Sequence, residues 1–274
     1  MPNKEASLRI PETLRKVNHI IGIFSAKGGV GKSEISLNLA LSLKDKGYSV
    51  GLVDADIYGP SQPLLLGASS EEIEVKDKEL LSPLIKDNIK FMSMGLIASE
   101  RMPVIWRGPM VSGAVMQLLS QTDWQELDYL IVDTPPGTGD VQLTLLQRMP
   151  LSATIVVTTP QKVSVSDTRK GIEMINKLKI PILGLVENMS YFNPSNSTDK
   201  YYIFGKGGGE ELAKEYGLDL FCQIPLTEKE ESLHLYYENG YKKIFDNLSD
   251  KAIGKLNSLS KEINQTIPQV PSSE

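Results

Sequence analysis

Ala26-Lys27-Gly28-Gly29-Val30-Gly31-Lys32-Ser33 is the stretch on which the reading of this chain turns. The apolar run His19-Ile20-Ile21-Gly22-Ile23-Phe24 precedes it. A helical pattern from Ser33 to Lys46 follows, with Ile35, Leu37, Leu39, Ala40 and Leu43 as its apolar positions and Gly47 as its stop. A strand that hands over to a helix through a glycine-rich turn aims backbone N–H groups and the positive helix end at one point, where phosphate oxygens can sit. In such a cradle Gly28, Gly29, Val30 and Gly31 supply backbone, Lys32 reaches the β and γ phosphates, and Ser33 offers its hydroxyl to Mg2+. The first glycine of the general motif is Ala26 here.

Working outward, four more short apolar runs share the character of the first: Ser49–Val53, Tyr129–Val132, Thr154–Val157 and Ile182–Val186. Runs this apolar suit parallel strands covered on both faces, because a half-exposed antiparallel strand would alternate polar and apolar residues. Helical patterns fall at Val111–Leu119, Val165–Leu178 and Glu210–Tyr216, with a further helix expected over Thr227–Leu248. The expected fold is therefore α/β, a doubly wound and mainly parallel sheet with helices on both faces. Residues 1–18 read as an N-terminal extension, 19–250 as the phosphate-loop domain and 251–274 as a C-terminal tail. Ser69–Asp87 reads as a charged insertion, and Asn193–Lys200 and Ile267–Glu274 as irregular.

The 274 residues, 41% of them hydrophobic, suffice to bury one large core. A net charge of −5 gives no overall field to attract nucleic acid or an anionic membrane, so neither is an expected partner. The N-terminal residues mix charges with few apolar side chains, and no run reaches membrane-spanning length, so a cytoplasmic location is expected. Cys222 is the only cysteine, which excludes an intrachain disulfide and a four-thiolate metal site within one chain. His19 and His234 stand in no metal-ligand pattern.

Three carboxylates complete the chemistry. Asp133 follows the apolar run Tyr129–Val132, at a strand end suited to holding Mg2+ through water. Thr134-Pro135-Pro136-Gly137-Thr138-Gly139-Asp140 comes next, a loop whose glycines let the backbone approach a γ-phosphate. Asp54 and Asp56 end the second strand and point into the crevice where open α/β sheets bind ligands. Asp54 is expected in the outer shell of the metal, and Asp56 is expected to orient or deprotonate the attacking water.

With Lys27 added to Gly28–Ser33, the loop resembles the deviant Walker A motif of the MinD/ParA/nitrogenase-iron-protein class. Asp54–Ser61, Trp106–Met110, Asp133–Asp140, Thr158–Gln161, Glu187–Ser190 and Phe204–Glu210 narrow the resemblance to the Mrp/ApbC group of iron–sulfur cluster carrier ATPases, over about Ile20 to Leu226. The resemblance implies ATP and Mg2+ as ligands, and a homodimer in which Lys27 reaches the partner subunit's phosphates. It further implies that Asn188 hydrogen-bonds the adenine, that the backbone near Pro225 flanks the base, and that the client is an iron–sulfur or other metalloprotein.

Two positions depart from that pattern. Carriers of this group usually show Cys-x-x-Cys shortly after the Asn-Met-Ser segment, whereas Tyr191–Thr198 contains no cysteine, so the expected cluster ligands are missing. Cys222 reads as a buried small hydrophobe. Glu34 stands where a small hydroxyl residue is usual, and a carboxylate beside phosphates repels them unless it turns outward. Two other functions share the same switch: a partition or positioning protein, and a metalloprotein regulator that carries no cluster. Asn257–Glu274 has few large apolar residues and two prolines, unlike the basic amphipathic helix of a membrane-positioning protein.

Overall fold

The computed structural model describes residues 10–76, 80–97, 108–194, 199–226, 235–238 and 240–266. Trp106, Arg107, His234 and the residues expected to form the last eight of the tail lie outside them.

Eight strands form one sheet: β1 (Val17–Phe24), β2 (Val50–Asp54), β3 (Leu84–Lys86), β4 (Ile89–Ser93), β5 (Leu127–Asp133), β6 (Ala153–Thr158), β7 (Ile182–Glu187) and β8 (Leu220–Gln223). Their order is β3-β4-β2-β5-β1-β6-β7-β8, and every neighbouring pair is parallel except β3 with β4. The helices are α1 (Lys32–Asp45), α2 (Gln62–Leu65), α3 (Met94–Ile97), α4 (Gly108–Gln121), α5 (Asp140–Arg148), α6 (Lys162–Lys177), α7 (Gly208–Tyr216) and α8 (Tyr241–Thr266).

Successive side chains of a strand point to opposite faces, and the core divides accordingly. Ile21, Ile23, Leu52, Ile131, Ile155 and Val157 meet α1 and α8 on one face. Ile20, Phe24, Val53, Leu130, Val132 and Val156 meet α4, α5, α6 and α7 on the other. This is the doubly wound arrangement expected from the apolar runs. The β2–β5 register pairs Asp54 with Asp133, so continuing the alternation past Leu52 and Ile131 turns both carboxylates toward the α1 face.

Three expectations need correction. The boundary at 250/251 falls inside α8, and Ala252 and Leu256, assigned to a tail, are buried against the sheet. The helix expected from Thr227 starts, among the described residues, at Tyr241, after a 3-10 turn at Leu235–Tyr237; residues 227–234 lie outside the described set. The supposed insertion at Ser69–Asp87 is partly sheet: Val75 bridges Leu81, and β3 runs into a tight hairpin whose Asp87 and Asn88 take positive φ of 48° and 59°. Of the N-terminal extension, Glu12–Lys16 form a 3-10 turn that buries Leu14.

Candidate functional site

The loop after β1 has the backbone that its glycines permit. Gly29 and Gly31 take φ of 76° and 81°, the left-handed region that L side chains avoid. At Gly31 space is also closed, since a Cβ there would lie 2.2 Å from Asn188 Nδ2. The first turn of α1 then carries Lys32 and Ser33 under the loop, on the face to which Asp54 and Asp133 point.

Lys32 is buried and its ammonium pairs with Asp133 Oδ1. Ser36 Oγ, one turn along α1, donates to the same oxygen at 3.1 Å. The second oxygen of Asp133 accepts from Gln62 Nε2 at 3.0 Å. Asp54 is likewise fully buried and accepts from the backbone N–H groups of Asp56 and Gln62, both at 3.1 Å, and from Ser93 Oγ at 3.2 Å. Burial pushes the Asp54 carboxyl up to about 7, and the neighbouring Asp133 carboxylate adds to the shift. Two buried carboxylates facing one ammonium leave the cluster deficient in positive charge. Ser33, half-buried, completes a set of oxygen donors that suits a hard divalent cation such as Mg2+.

Asp56 stands at the mouth. Its Oδ1 accepts from the N–H groups of Tyr58 and Gly59, both at 3.2 Å, and it lines a cavity of about 710 Å³ with Pro135, Pro136, Gly139 and Gln142. That cavity lies between the segment after β2 and the loop after β5. Lys27 is exposed, and among the described residues its ammonium pairs with no carboxylate.

Asn188, just past β7, donates from Nδ2 to the carbonyl of Val30 at 2.9 Å, which fastens the phosphate loop from the side. The Ile224 N–H donates to Glu187 O and the Ser190 N–H donates to Ile224 O, placing Pro225 next to this strand end. Glu34 is half-buried; burial raises its carboxyl above the usual range, and the carboxylate of Glu238 raises it further. It is therefore not turned freely into solvent.

Sequence reasoning missed Gln62 and Ser36, whose partners lie 71 and 97 residues away along the chain. It also missed Glu187, which is buried and ties Ser190, the start of α7 at Gly209 and Gln223 together. Only the three-residue gap to Ser190 is visible locally. The one thiol, Cys222, sits on β8 against the core, and burial pushes it up to about 12. Among the described residues no three His, Cys, Asp or Glu side chains converge on a metal-sized space, and no helix is long and apolar enough to cross a membrane.

A family model described as "ParA: NUBPL iron-transfer P-loop NTPase" matches residues 16–264. The iron–sulfur cluster carrier protein of Pseudomonas fragi is 47% identical over 227 residues, which cover 82% of this chain and 78% of the relative. Against some longer carrier proteins the match spans only 64% or 58% of the relative. Among solved structures, the ADP complex of a nucleotide-binding protein from Archaeoglobus fulgidus superposes with a TM-score of 0.70 at 32% identity, covering 96% of this chain and 97% of that one. The cell division ATPase MinD of Pyrococcus furiosus shares the fold, with a TM-score of 0.61 at 23% identity, covering 87% of this chain and 99% of that one. The chain belongs to the ParA family of iron-transfer P-loop NTPases, alongside the iron–sulfur cluster carrier proteins.

Proposed function

We propose that this chain binds and hydrolyses ATP with Mg2+, as a cytoplasmic homodimeric switch that serves iron–sulfur cluster assembly or transfer. The observation that carries this reading is the buried group beneath the phosphate loop, where Lys32, Ser36 and Gln62 converge on Asp133 beside Asp54.

The physical logic follows from the Lys32–Asp133 pair. Breaking a buried pair costs about 3–5 kcal/mol when one charge is left alone. Lys32 drawn toward the β and γ phosphates leaves Asp133 uncompensated beside Asp54. Ser33, Asp54 and Asp133 would hold Mg2+ there, the two carboxylates through water, so nucleotide and cation bind as one unit. When bound, Mg2+ supplies charge neutralisation at the phosphate oxygens. Asp56, facing the cavity between the two loops, orients the water that attacks the γ-phosphorus and takes its proton as the bond to ADP breaks. Lys27, exposed and paired with no carboxylate among the described residues, is placed to reach the phosphates of a second copy. Asn188, freed from Val30, faces the adenine, with Pro225 beside the base.

Phosphate release from ATP, measured with Mg2+ and with a chelator, tests the reading. Mg2+-dependent release together with a nucleotide-induced dimer by sedimentation is expected. A chain that neither binds nor hydrolyses ATP under either condition overturns it.

One observation favours a narrower second reading, a metalloprotein regulator that carries no cluster itself. The only thiol is half-buried against the core, and burial pushes it up to about 12. Pull-down with and without a non-hydrolysable ATP analogue should expose a nucleotide-dependent partner, and recovery of none in either state counts against it.

A further inference from the structure

Gln62 opens α2 and is fully buried, with contacts to three separate parts of the site. Its side-chain nitrogen donates to the backbone carbonyl of Ser33 at 2.8 Å and to Asp133 Oδ2 at 3.0 Å. Both partners are acceptors only, which fixes the amide with nitrogen toward the loop and β5. Its backbone N–H donates to Asp54 Oδ2 at 3.1 Å. One residue thus links the phosphate loop, the end of β5 and the end of β2.

The same amide has an oxygen with no partner. Gln62 Oε1 is one of three buried side-chain polar atoms without a hydrogen bond among the described residues. Buried polar groups in folded proteins are nearly always paired, because an orphaned carbonyl pays its full desolvation cost. A glutamine kept only to brace two loops would have both ends satisfied. Here the nitrogen is saturated by Ser33 and Asp133, two of the residues assigned to the cation, while the oxygen is left over beside them.

We propose that Gln62 is a positioning residue of the metal–nucleotide site: Oε1 accepts a hydrogen bond from water carried by the bound divalent cation, and Nε2 holds Asp133 and the phosphate loop. Residues 54–62 include Asp56, so the state of the cation site is passed to the residue that orients the attacking water. This rests on the Mg2+-nucleotide reading given above. It adds a residue that local sequence does not reveal, and it gives Asp54–Gln62 a physical reason to change order when the site fills.

The test titrates Mg2+ against binding of a fluorescent, non-hydrolysable ATP analogue to the full chain. In Gln62→Met, which keeps the length and removes the amide, the Mg2+ concentration for half-maximal binding should rise about tenfold, the usual scale for losing an outer partner of a metal site. In Gln62→Glu, which keeps an oxygen at that end but loses the donor to Asp133 and Ser33, the Mg2+ requirement should rise clearly less than in Gln62→Met. An unchanged requirement in Gln62→Met overturns the proposal, as does an equal rise in both variants, which would mark a bracing role only. Hydrogen exchange on the wild type provides a measurement independent of variant folding. Amides of 54–62 should gain protection with the analogue plus Mg2+ and not with the analogue plus chelator, and equal protection overturns the proposal. A wild type that binds no analogue in either condition instead overturns the nucleotide reading itself, so the two failures are distinguishable.

Discussion

The carboxyl end of the sheet beneath the phosphate loop and the neighbouring segment Tyr191–Lys206 are built on opposite principles. Beneath the loop, Lys32, Ser36, Asp54, Gln62 and Asp133 are all buried and bonded to one another or to the backbone. In the other region Tyr201 and Ile203 are 52% and 61% exposed, and Lys200 and Lys206 lie 4.0 and 4.8 Å over the rings of Tyr191 and Tyr202. Burying charge is costly and persists where a task requires it, whereas exposed cation–π pairs are ordinary surface chemistry. The second region is also the one where carriers of this family are expected to present a cysteine pair, and it contains no thiol. The contrast separates a buried, fully bonded charge cluster from a segment without soft metal ligands in its sequence.

The largest effect expected from disturbing the first region is at Lys32. Lys32→Ala leaves Asp133 and Asp54 buried with no ammonium and removes the phosphate contact, so ATP affinity should fall on the order of 10³-fold. Equilibrium dialysis checks this, with circular dichroism to establish folding. Wild-type affinity in a folded variant would sever the buried cluster from nucleotide binding. Asp56→Ala should act on turnover instead, lowering kcat about 10²-fold with ATP affinity nearly unchanged, because among the described residues the Asp56 carboxylate bonds only its own turn at Tyr58 and Gly59. Steady-state kinetics beside a direct binding measurement separates the two effects.

Lys27 tests whether the switch is completed by a second copy. Lys27→Ala should cost about tenfold in hydrolysis, a modest loss of transition-state charge stabilisation, with no loss of fold, since the side chain is exposed. Mixing Lys27→Ala with Asp56→Ala is more telling. If Lys27 acts across the interface, a mixed dimer has one site with its own Asp56 and the partner's Lys27 intact. Equal mixing then restores about a quarter of wild-type turnover, as closed two-fold assembly requires. No restoration would place Lys27 in its own site.

How much of this was legible in the sequence depends on the range of the interactions. The phosphate loop and strands β1, β2, β5, β6 and β7 were visible because glycine spacing and buried apolar runs are local signals. The hairpin of β3 and β4 was missed although Asp87-Asn88 is a turn pair of the left-handed kind, because the charged residues around it read as an insertion. The later half of α8 was assigned to a tail because its core contacts come from small or widely spaced residues such as Ala252 and Leu256. Asp54 and Asp133 could be named singly, but their pairing follows only from the β2–β5 register. Gln62, within Gly59-Pro60-Ser61-Gln62-Pro63, carries a turn signal and nothing more until β2, β5 and the loop converge on it.

The smallest expected effect tests the second region most directly. Cys222 has its thiol pushed up to about 12 by burial, although Lys251 pulls the other way, so at neutral pH almost none is thiolate, the form that ligates iron. A homodimer would supply two such groups where a cluster takes four thiolates. After reconstitution with iron and sulfide, wild type and Cys222→Ser should therefore both remain colourless, with equal and negligible iron content. ATP turnover should be the same in both, and stability should differ by about 1 kcal/mol, the usual scale for one polar change in a core. Stoichiometric iron with thiolate-to-iron absorbance, lost in Cys222→Ser, would show that β8 opens enough to expose its cysteine and that the cargo role survived on a different ligand. Iron retained equally by both proteins would move the ligands to oxygen or imidazole. Negligible iron alongside intact Mg2+-dependent hydrolysis would leave the switch acting on a client that supplies its own ligands.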